Sequence, residues 1–396
     1  MSTGAFSVCV TPSISDIDEQ EWDSLVGSNA VTSHGWLKAF EEESAGGFEP
    51  FYLRLCRDGQ TVGATACFLC RPGSRLSNPD EIMYGRFGRL PALLNLTFSP
   101  AMVVGPHGPY GFHQTFLLGA KLSDGDRHRA FEVLLNGIED LARSTGTALH
   151  FPNLTTGREP ELTLLLTNRN YLSTRAFPVC YLDIEWDSFQ GYLSYLSSFS
   201  SKMKGNVKEE MSRFERAGLT IEVLDNPAEH RARLFELADS HYRSYNNRGI
   251  AFTPEFLPTL KASLGQNAVF YGAFRKRELV GFVVLVRRGD VGYLTWTGID
   301  RLATLREGTY FNLVFYRPIQ EAIKARIKKL YFGRALYETK LRRGCRLYGP
   351  RYFYRSNDRV SHRILRSWFT FHESWMKRKM GEIEELESLR HSRSVG

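Results

Sequence analysis

The chain has 396 residues, of which 42% are hydrophobic and 24% charged, and this length exceeds what one hydrophobic core usually holds. The composition excludes a single small module, a disordered chain and a coiled-coil or collagen-like protein. The net charge is +8, and it is concentrated in the segment Lys324–Lys379, which has 17 Lys and Arg but only 3 Asp and Glu.

The first predicted elements are two short helices over Glu21–Leu25 and Ser33–Glu41, with Ser33 as the N-cap of the second. A β-hairpin follows, because residues 51–59 and 61–69 alternate between apolar and polar side chains around Asp58-Gly59. Asp-Gly is a preferred pair in two-residue hairpin turns. The chain is therefore predicted to pass from helices into paired strands.

The same pattern occurs a second time. Residues 269–277 and 279–287 match the first hairpin at an offset of 218 residues, and a later helix and apolar strand match at an offset of 181. The pairs that carry these offsets are Arg57/Arg275, Val62/Val280, Gly63/Gly281, Val133/Val314, Ile138/Ile319, Leu149/Leu330 and Phe151/Phe332. The difference between the two offsets means that the first copy has 37 more residues than the second between its hairpin and its helix, and we place them around residues 71–104. An internal repeat of strand, turn, strand, helix and strand is the main structural prediction.

Further helices frame the second copy. Residues 233–245 and 253–263 have helical periodicity, and Thr253-Pro254 is the predicted N-cap and first position of the second of these helices. Between the two copies, residues 200–218 predict a helix that ends at Gly218.

Other features bear on the environment of the protein. The most apolar region, residues 90–104, is interrupted by prolines and polar residues, so no membrane-spanning helix is expected. The N-terminus lacks the pattern of a secretory signal. Six scattered cysteines predict free thiols, and Cys67 and Cys70 are expected to be buried rather than to bind metal. We therefore expect a cytoplasmic protein without a metal site.

Three sequence phrases resemble a known family. They are Trp22 to Leu37 with its Ser-His-Gly-Trp-Leu ending, the Ser- and Lys-rich run from Leu196 that leads to Ala217-Gly218, and Phe332-Gly333 followed by Lys340 and Gly344. With the internal repeat, they resemble the Fem-type, peptidoglycan-biosynthesis-like acyltransferases built from two GNAT-type domains. The resemblance implies an α/β (α+β) fold of two tandem GNAT-like domains, each a mixed central sheet flanked by helices.

The resemblance also implies a division of the chain. We place the first GNAT-like domain at residues 1–185, an interdomain helix and connection at 186–225, the second and catalytic domain at 226–370, and a C-terminal helix and tail at 371–396. The chain departs from the family pattern at Tyr331, where an acidic residue usually ends the strand, and at Thr339, where an aromatic residue usually precedes the late lysine.

GNAT-type enzymes bind the pyrophosphate of coenzyme A at a helix start, through backbone N–H groups and the helix dipole. In the corresponding place only Arg306 and Gly308 match that loop. The resemblance implies acyl-coenzyme A or a carrier-protein thioester as donor, or aminoacyl-tRNA as in Fem-type relatives, and no permanently bound cofactor.

Acyl transfer requires removal of a proton from the acceptor and hydrogen-bond donors for the carbonyl oxygen. The candidate proton carriers are His241, Glu338 and Tyr337, and the candidate donors to the leaving group are Tyr242, Tyr310 or a backbone N–H. Trp296, on the strand after the second hairpin, can shape an acyl pocket, although an aromatic residue there is also typical of a core.

Basic residues are the candidate phosphate contacts. Lys340 and Arg343, with Arg342 and Arg346, are predicted to contact the donor, and Lys202 and Lys204 are predicted to contact the acceptor or donor. The segment Lys324–Lys379 also contains many aromatic residues, which favours tRNA or a carrier protein as partner. A solvated basic face is the alternative interpretation.

The leading functional prediction is transfer of an acyl group from acyl-coenzyme A or a carrier-protein thioester to an amine or hydroxyl of a small polar acceptor. The alternatives are an aminoacyl-tRNA-dependent, amide-forming transferase and a non-catalytic GNAT-like binding module. The sequence contains no nucleophile elbow, phosphate-binding NTPase loop, zinc-protease motif or dinucleotide fingerprint. The oligomeric state is not indicated.

Overall fold

The computed structural model describes residues 5–43, 49–74, 78–84, 97–105, 114–157, 159–246, 248–304 and 306–392. The strands are β1 Ser7–Thr11, β2 Glu49–Arg57, β3 Gln60–Cys70, β4 Ala101–Val104, β5 Leu117–Leu118, β6 Ala148–Leu154, β7 Leu172–Arg175, β8 Val179–Asp183, β9 Leu219–Val223, β10 Ala268–Arg275, β11 Glu278–Arg288, β12 Val291–Ile299, β13 Lys329–Gly333, β14 Arg346–Tyr348 and β15 Arg351–Arg355.

The helices are α1 Glu19–Asp23, α2 His34–Glu43, α3 Pro79–Tyr84, α4 Asp124–Ser144, α5 Pro160–Asn168, α6 Phe189–Phe199, α7 Ser201–Arg216, α8 Arg231–Asn246, α9 Phe256–Leu264, α10 Arg301–Thr304, α11 Thr309–Phe311, α12 Arg317–Lys324, α13 Tyr337–Arg342 and α14 Arg359–Ser392. A π-helical segment, Asn312–Tyr316, joins α11 to α12. Such segments are rare in proteins and often lie near functional sites.

The chain forms two compact units, each built on one mixed sheet. The first sheet has the order β1-β2-β3-β4-β6-β15-β7, with β5 beside β3, and the second has the order β9-β10-β11-β12-β13-β8-β14. Position by position the two orders correspond, and in both sheets the fourth and fifth strands are the parallel pair. The predicted α/β fold of two tandem GNAT-like domains is confirmed.

Each sheet includes one strand from the other half of the repeat. β8 comes at the end of the first half and lies between β13 and β14, and β15 comes at the end of the second half and lies between β6 and β7. The compact units are therefore residues 1–41, 45–177 and 349–379, and residues 42–44, 178–348 and 380–396. The linear division at 185, 225 and 370 differs from this, because sequence periodicity identifies strands but not their partners.

The hairpins have the predicted register. Arg57 pairs with Gln60 and Arg275 pairs with Glu278, which reproduces the offset of 218 residues. Asp58 and Gly59 have φ values of 51° and 77°, as a type I′ turn requires. Of the 37 extra residues of the first half, 28 lie between β3 and β4, where residues 71–100 stand in place of the two-residue turn between β11 and β12.

Three helix ends test the predicted signals. The hydroxyl of Ser33 accepts from the backbone N–H of Trp36 at 3.4 Å, so this residue caps α2. Gly218 has φ 68° directly after α7 and ends it as predicted. The prediction for Thr253 is wrong by two residues, because α9 begins at Phe256. The hydroxyl of Thr253 instead donates to Glu43 at 2.7 Å.

Candidate active site

The site with the clearest chemistry in the second unit is an opening between the parallel strands β12 and β13. These strands pair only from Val291–Tyr293 to Lys329–Tyr331, whereas β12 continues to Ile299. Beyond Tyr293, β12 is therefore not paired with β13. This divergence creates a place where a ligand can approach the main chain of β12.

A β-bulge lies at the start of this opening. Val283 of β11 pairs with Thr297 and Leu285 pairs with Leu294, so three steps along β12 match two along β11. The extra residue falls at Thr295 or Trp296. A bulge leaves one residue outside the regular ladder and redirects its side chain. The N–H of a residue outside the ladder can be presented to a ligand.

An aromatic wall stands beside the bulge. The ring of Trp296 packs edge-on against Phe256 and Phe252, with centroid distances of 4.8 and 6.1 Å. Helix α8 lies directly on the strand, since a Cβ at Gly298 would be 2.6 Å from the carbonyl carbon of Leu237. The structure thus places Trp296 at the opening, where its role in an acyl pocket stays a prediction.

His241 lies one helical turn after Leu237 and so shares that face of α8. Its Nδ1 is buried and has no hydrogen-bond partner among the residues that the structure describes. Burial and the positive charge of Arg301 lower the pKa of His241 to about 4. The imidazole is consequently neutral near pH 7, and without a bound substrate it is a weak base.

Two neighbours define the surroundings of His241. The ring of Tyr245 lies edge-on at 5.2 Å, and the guanidinium of Arg301 lies 4.8 Å from that tyrosine ring and donates to its hydroxyl. Tyr242 is half-buried, and its hydroxyl accepts from Arg248 at 3.4 Å. The sequence patterns gave no signal for Tyr245 or Arg301, because their proximity depends on tertiary structure.

Lys340 has a different role from the predicted phosphate contact. Its Nζ is buried and donates to the main-chain carbonyls of Phe332, Gly333 and Arg334 at 2.7, 3.2 and 2.8 Å. An ammonium group has three hydrogens, so its donors are fully used. Burial lowers the pKa of Lys340. This lysine holds the end of β13 and is not available to a phosphate.

Arg343 is also occupied by the protein itself. Its Nη2 donates to both carboxylate oxygens of Glu210 at 2.9 and 2.8 Å, and its Nε donates to the hydroxyl of Tyr316 at 3.2 Å. Its guanidinium carbon lies 3.7 Å from the ring centroid of Phe311. Arg343 thus joins α13, α7 and the π-helical segment. The sequence could not identify Glu210 as its partner, since the two residues lie 133 positions apart.

The loop around Gly308 packs closely against α7. A Cβ at Gly308 would lie 2.9 Å from the main-chain oxygen of Glu210, so the glycine permits close approach of α7. Asn312 Nδ2 donates to the carbonyls of Glu210 and Gly308, both at 3.0 Å. The side chain of Arg306 is exposed, and its carbonyl accepts from Arg213 at 3.5 Å. The close packing of Gly308 on Glu210 explains why a glycine stands at this position.

The other proton candidates lie in structural contacts. Glu338 is 61% exposed and forms an ion pair with Arg342, so its carboxylate is a surface group that is already paired. The hydroxyl of Tyr337 donates to the carbonyl of Pro178 at 3.0 Å and thereby fixes the residue before β8. Of the three candidates, only His241 has a buried nitrogen without a hydrogen-bond partner among the described residues.

Several cations of the basic segment are neutralised within the protein. The ion pairs in this segment are Lys324–Glu321, Lys328–Asp290, Lys329–Asp183, Arg342–Glu338, Arg343–Glu210, Arg346–Asp183, Arg351–Glu373 and Arg355–Glu139. Lys202 and Lys204 lie in the first turn of α7, one exposed and one half-buried. Within the described residues, neither lysine has a carboxylate partner within ion-pair distance.

The cysteines and the search for metal ligands complete the chemistry. All six cysteines are free, and burial raises the pKa of Cys70 to about 12. Across the described part of the chain, no three His, Cys, Asp or Glu side chains are grouped as a metal site would require. The described helices also include none with the length and hydropathy of a membrane span.

Comparison with solved structures agrees with this fold. FemX aligns with a TM-score of 0.56 at 11% identity, over 88% of this chain and 98% of that one. L-PGS from Bacillus licheniformis aligns with a TM-score of 0.53 at 14% identity, over 89% and 97% of the two chains. The C-terminal domain of a proposed lysylphosphatidylglycerol synthetase from Agrobacterium fabrum gives 0.53 at 13% identity, over 89% and 96%.

Among curated proteins, the chain is 26% identical over 248 residues to a protein proposed to be 8-amino-7-oxononanoate synthase 2 of Mycobacterium tuberculosis. The match covers 60% of this chain but only 31% of that protein. The chain thus spans about a third of the length of the curated relatives it matches.

The two sheets define a protein built from two GNAT-type domains. The model of the FemAB-like family, described by peptidoglycan biosynthesis and recognition, matches residues 13–391. The chain belongs to this family, and the predicted resemblance is confirmed.

Proposed function

We propose that this protein transfers an acyl group to an amine of a polar acceptor and that the reaction takes place at the β12–β13 opening of the second unit. The supporting observation is the position of the bulge at Thr295 and Trp296, directly where the two parallel strands separate, on the strand that helix α8 with His241 packs against. This arrangement combines a main-chain donor, an apolar wall and a proton acceptor.

Each group has a defined part in the proposed reaction. The acceptor nitrogen attacks the acyl carbonyl carbon, and the bulged main chain donates to the developing oxyanion. His241 takes the proton that the nitrogen releases, because the negative charge that develops on the acyl oxygen favours the imidazolium. The bond from the carbonyl carbon to the donor oxygen or sulfur then breaks, and that atom receives a proton. Trp296 covers the acyl group.

The donor that we propose is aminoacyl-tRNA. The loop that would hold the pyrophosphate of coenzyme A is packed on α7 through Gly308, and an aminoacyl ester does not need that loop. Lys202, Lys204 and Lys208 on α7 supply cations without ion-pair partners among the described residues, which suits a phosphodiester backbone. We propose these three lysines, rather than the segment Lys324–Lys379, as the tRNA contact. Most Lys and Arg residues of that segment that lie in the second unit already form ion pairs within the protein.

The acceptor that we propose is an amine on a peptidoglycan precursor. The description of the FemAB-like family supports this class of acceptor. The roles of His241, Trp296 and the α7 lysines do not depend on which amine is used.

A donor panel tests the proposal. Purified protein is incubated with peptidoglycan precursors and either charged tRNAs, acyl-coenzyme A species or acylated carrier protein, and the amide product is measured by mass spectrometry. We expect product only with charged tRNA and its loss after ribonuclease treatment. Product from a thioester that resists ribonuclease would overturn the donor, and no product with any donor would favour a binding module.

Variants test the site independently of the donor. His241→Gln is expected to lower kcat by about 100-fold or more, the usual range for loss of a general base. His128→Gln is the matched control, because His128 is an exposed histidine of the first unit. Equal activity of the two variants would remove His241 from the mechanism.

A further inference from the structure

The first two thirds of α14 carry an apolar stripe that faces solvent. Val360, Ile364 and Phe371 are 67%, 49% and 50% exposed, although each is a large hydrophobic residue. Their spacing of four and seven residues places them on one line along the helix. Large exposed apolar side chains that form a contiguous line are unusual in a monomer and indicate an interaction surface.

This stripe is separate from the face that anchors the helix. Leu365 and Phe369 are buried in a core cluster of the first unit, and Met376 is buried further along the same side. Trp368 and Trp375 are half-buried at the border of the stripe. The ring centroid of Trp368 lies 5.4 Å from that of Phe371. The helix is therefore held by one side and leaves the other side, with its aromatic border, exposed.

Arginines lie along the stripe. Arg359, Arg363 and Arg366 are exposed and spaced by four and three residues, so they form a parallel line. None of the three has a carboxylate partner within ion-pair distance among the described residues. The only acidic residue between 359 and 379 is Glu373, which is paired with Arg175 and Arg351. The exposed side of the helix thus combines apolar side chains with positive charges that no nearby carboxylate of the described residues neutralises.

We propose that residues 359–379 of α14 dock the protein on the surface of an anionic phospholipid bilayer. The α14 docking face consists of Val360, Ile364 and Phe371, which enter the headgroup region, and Arg359, Arg363 and Arg366, which contact lipid phosphates. Helices that combine a basic line with an adjacent apolar and tryptophan-containing line lie in membrane interfaces. The proposal is independent of the transfer reaction proposed above.

Two other occupants fit the surface less well. A second copy of the chain would need an apolar seam of about three heptads, but the line of the stripe continues into Arg378 and Glu382 after Phe371. A nucleic acid would use the arginines but would leave Val360 and Ile364 in contact with phosphates and water. The combination of apolar and basic lines fits an anionic lipid surface.

Vesicle flotation of the full chain tests the docking face. The vesicles contain phosphatidylcholine alone or phosphatidylcholine mixed with phosphatidylglycerol. We expect the protein to float with the phosphatidylglycerol vesicles only, and less at high salt. Val360→Ser/Ile364→Ser/Phe371→Ser is expected to weaken binding by about tenfold or more, and Arg359→Gln/Arg363→Gln/Arg366→Gln by on the order of 100-fold.

Controls separate the outcomes. Leu164→Ser removes an apolar side chain that is 58% exposed on α5, and this variant is expected to bind vesicles as the wild type does. Circular dichroism confirms that each variant is folded. Absence of wild-type binding to phosphatidylglycerol vesicles overturns the proposal, as does unchanged binding of the serine variant. A dimer that the serine variant loses, or tRNA binding in place of vesicle binding, assigns the face to another occupant and also overturns it.

Discussion

Arg343 donates through one nitrogen to both carboxylate oxygens of Glu210, and this buried pair connects two helices that are far apart in sequence. The guanidinium also donates to Tyr316 and lies over the ring of Phe311. All of its strong interactions are therefore internal. The pair fixes α7 against the π-helical segment that precedes α12.

Removal of one partner is expected to be costly. Glu210→Gln should lower the free energy of unfolding by about 3–5 kcal/mol, because the buried guanidinium loses its counter-charge. Arg343→Met combined with Glu210→Gln should cost less than the sum of the single changes. Glu209→Gln is the matched control, since Glu209 is 54% exposed, and its loss should cost under about 1 kcal/mol. Urea denaturation measures the wild type, Glu210→Gln, Arg343→Met, the double variant and Glu209→Gln, and additive costs would contradict the pairing.

Lys340 gives a second prediction that separates structure from ligand binding. Lys340→Met should lower the free energy of unfolding by about 3 kcal/mol, because three carbonyls at the end of β13 lose their donor. Arg342→Gln, at the neighbouring exposed ion pair, should change it by under about 1 kcal/mol. A Lys340→Met protein with wild-type stability but weaker donor binding would restore the phosphate role for this lysine.

The sequence predicted the architecture better than the site. The hairpins, their offset and the two-domain class follow from alternation and repetition, which are local signals. The exchange of β8 and β15 could not be predicted, because both strands have the composition of ordinary short strands and strand partners depend on tertiary contacts. The same limit applies to Lys340 and Arg343: their charge suggested phosphate, but charge alone does not show that a side chain is buried.

For the site, the sequence identified His241 and Trp296 by residue type only. Their place in the proposed site depends on the bulge on β12. In this bulge three residue steps along β12 match two steps along β11, and no pattern in the sequence indicates it. Glu338 was chosen for its carboxylate, and its 61% exposure leaves it an ordinary surface acid. Candidates chosen by chemistry need the burial and the neighbours that only tertiary structure provides.

His150 predicts a pH-dependent stability difference. Both ring nitrogens are buried without a hydrogen-bond partner among the described residues, and burial lowers the pKa to about 3. Between this value and about 6.5 the unfolded chain binds a proton that the folded chain does not bind, so wild-type stability falls as the pH falls through that range. His150→Leu removes this pH dependence. Relative to the wild type, its free energy of unfolding should therefore be about 2 kcal/mol more favourable at pH 5 than at pH 7.

Urea denaturation at the two pH values checks the difference. His128→Leu is the control, because His128 is an exposed histidine on α4 and no large pH-dependent gain is expected for it. A gain for His150→Leu that is equal at pH 5 and pH 7 would mean that the imidazole ionises in the folded protein.

The exchanged strands predict which segments of the chain fold alone. Every strand of the second sheet lies within residues 178–348, so a chain of these residues should show cooperative unfolding and dispersed NMR signals. A chain of residues 186–348 lacks β8, which separates β13 from β14, and should not fold, because β14 loses the strand it pairs with and β13 loses one of its two neighbours. The two chains differ by only eight residues, of which five form β8. Equal folding of both would show that β8 is dispensable and would support the linear division of the chain, in which residue 185 closes the first domain.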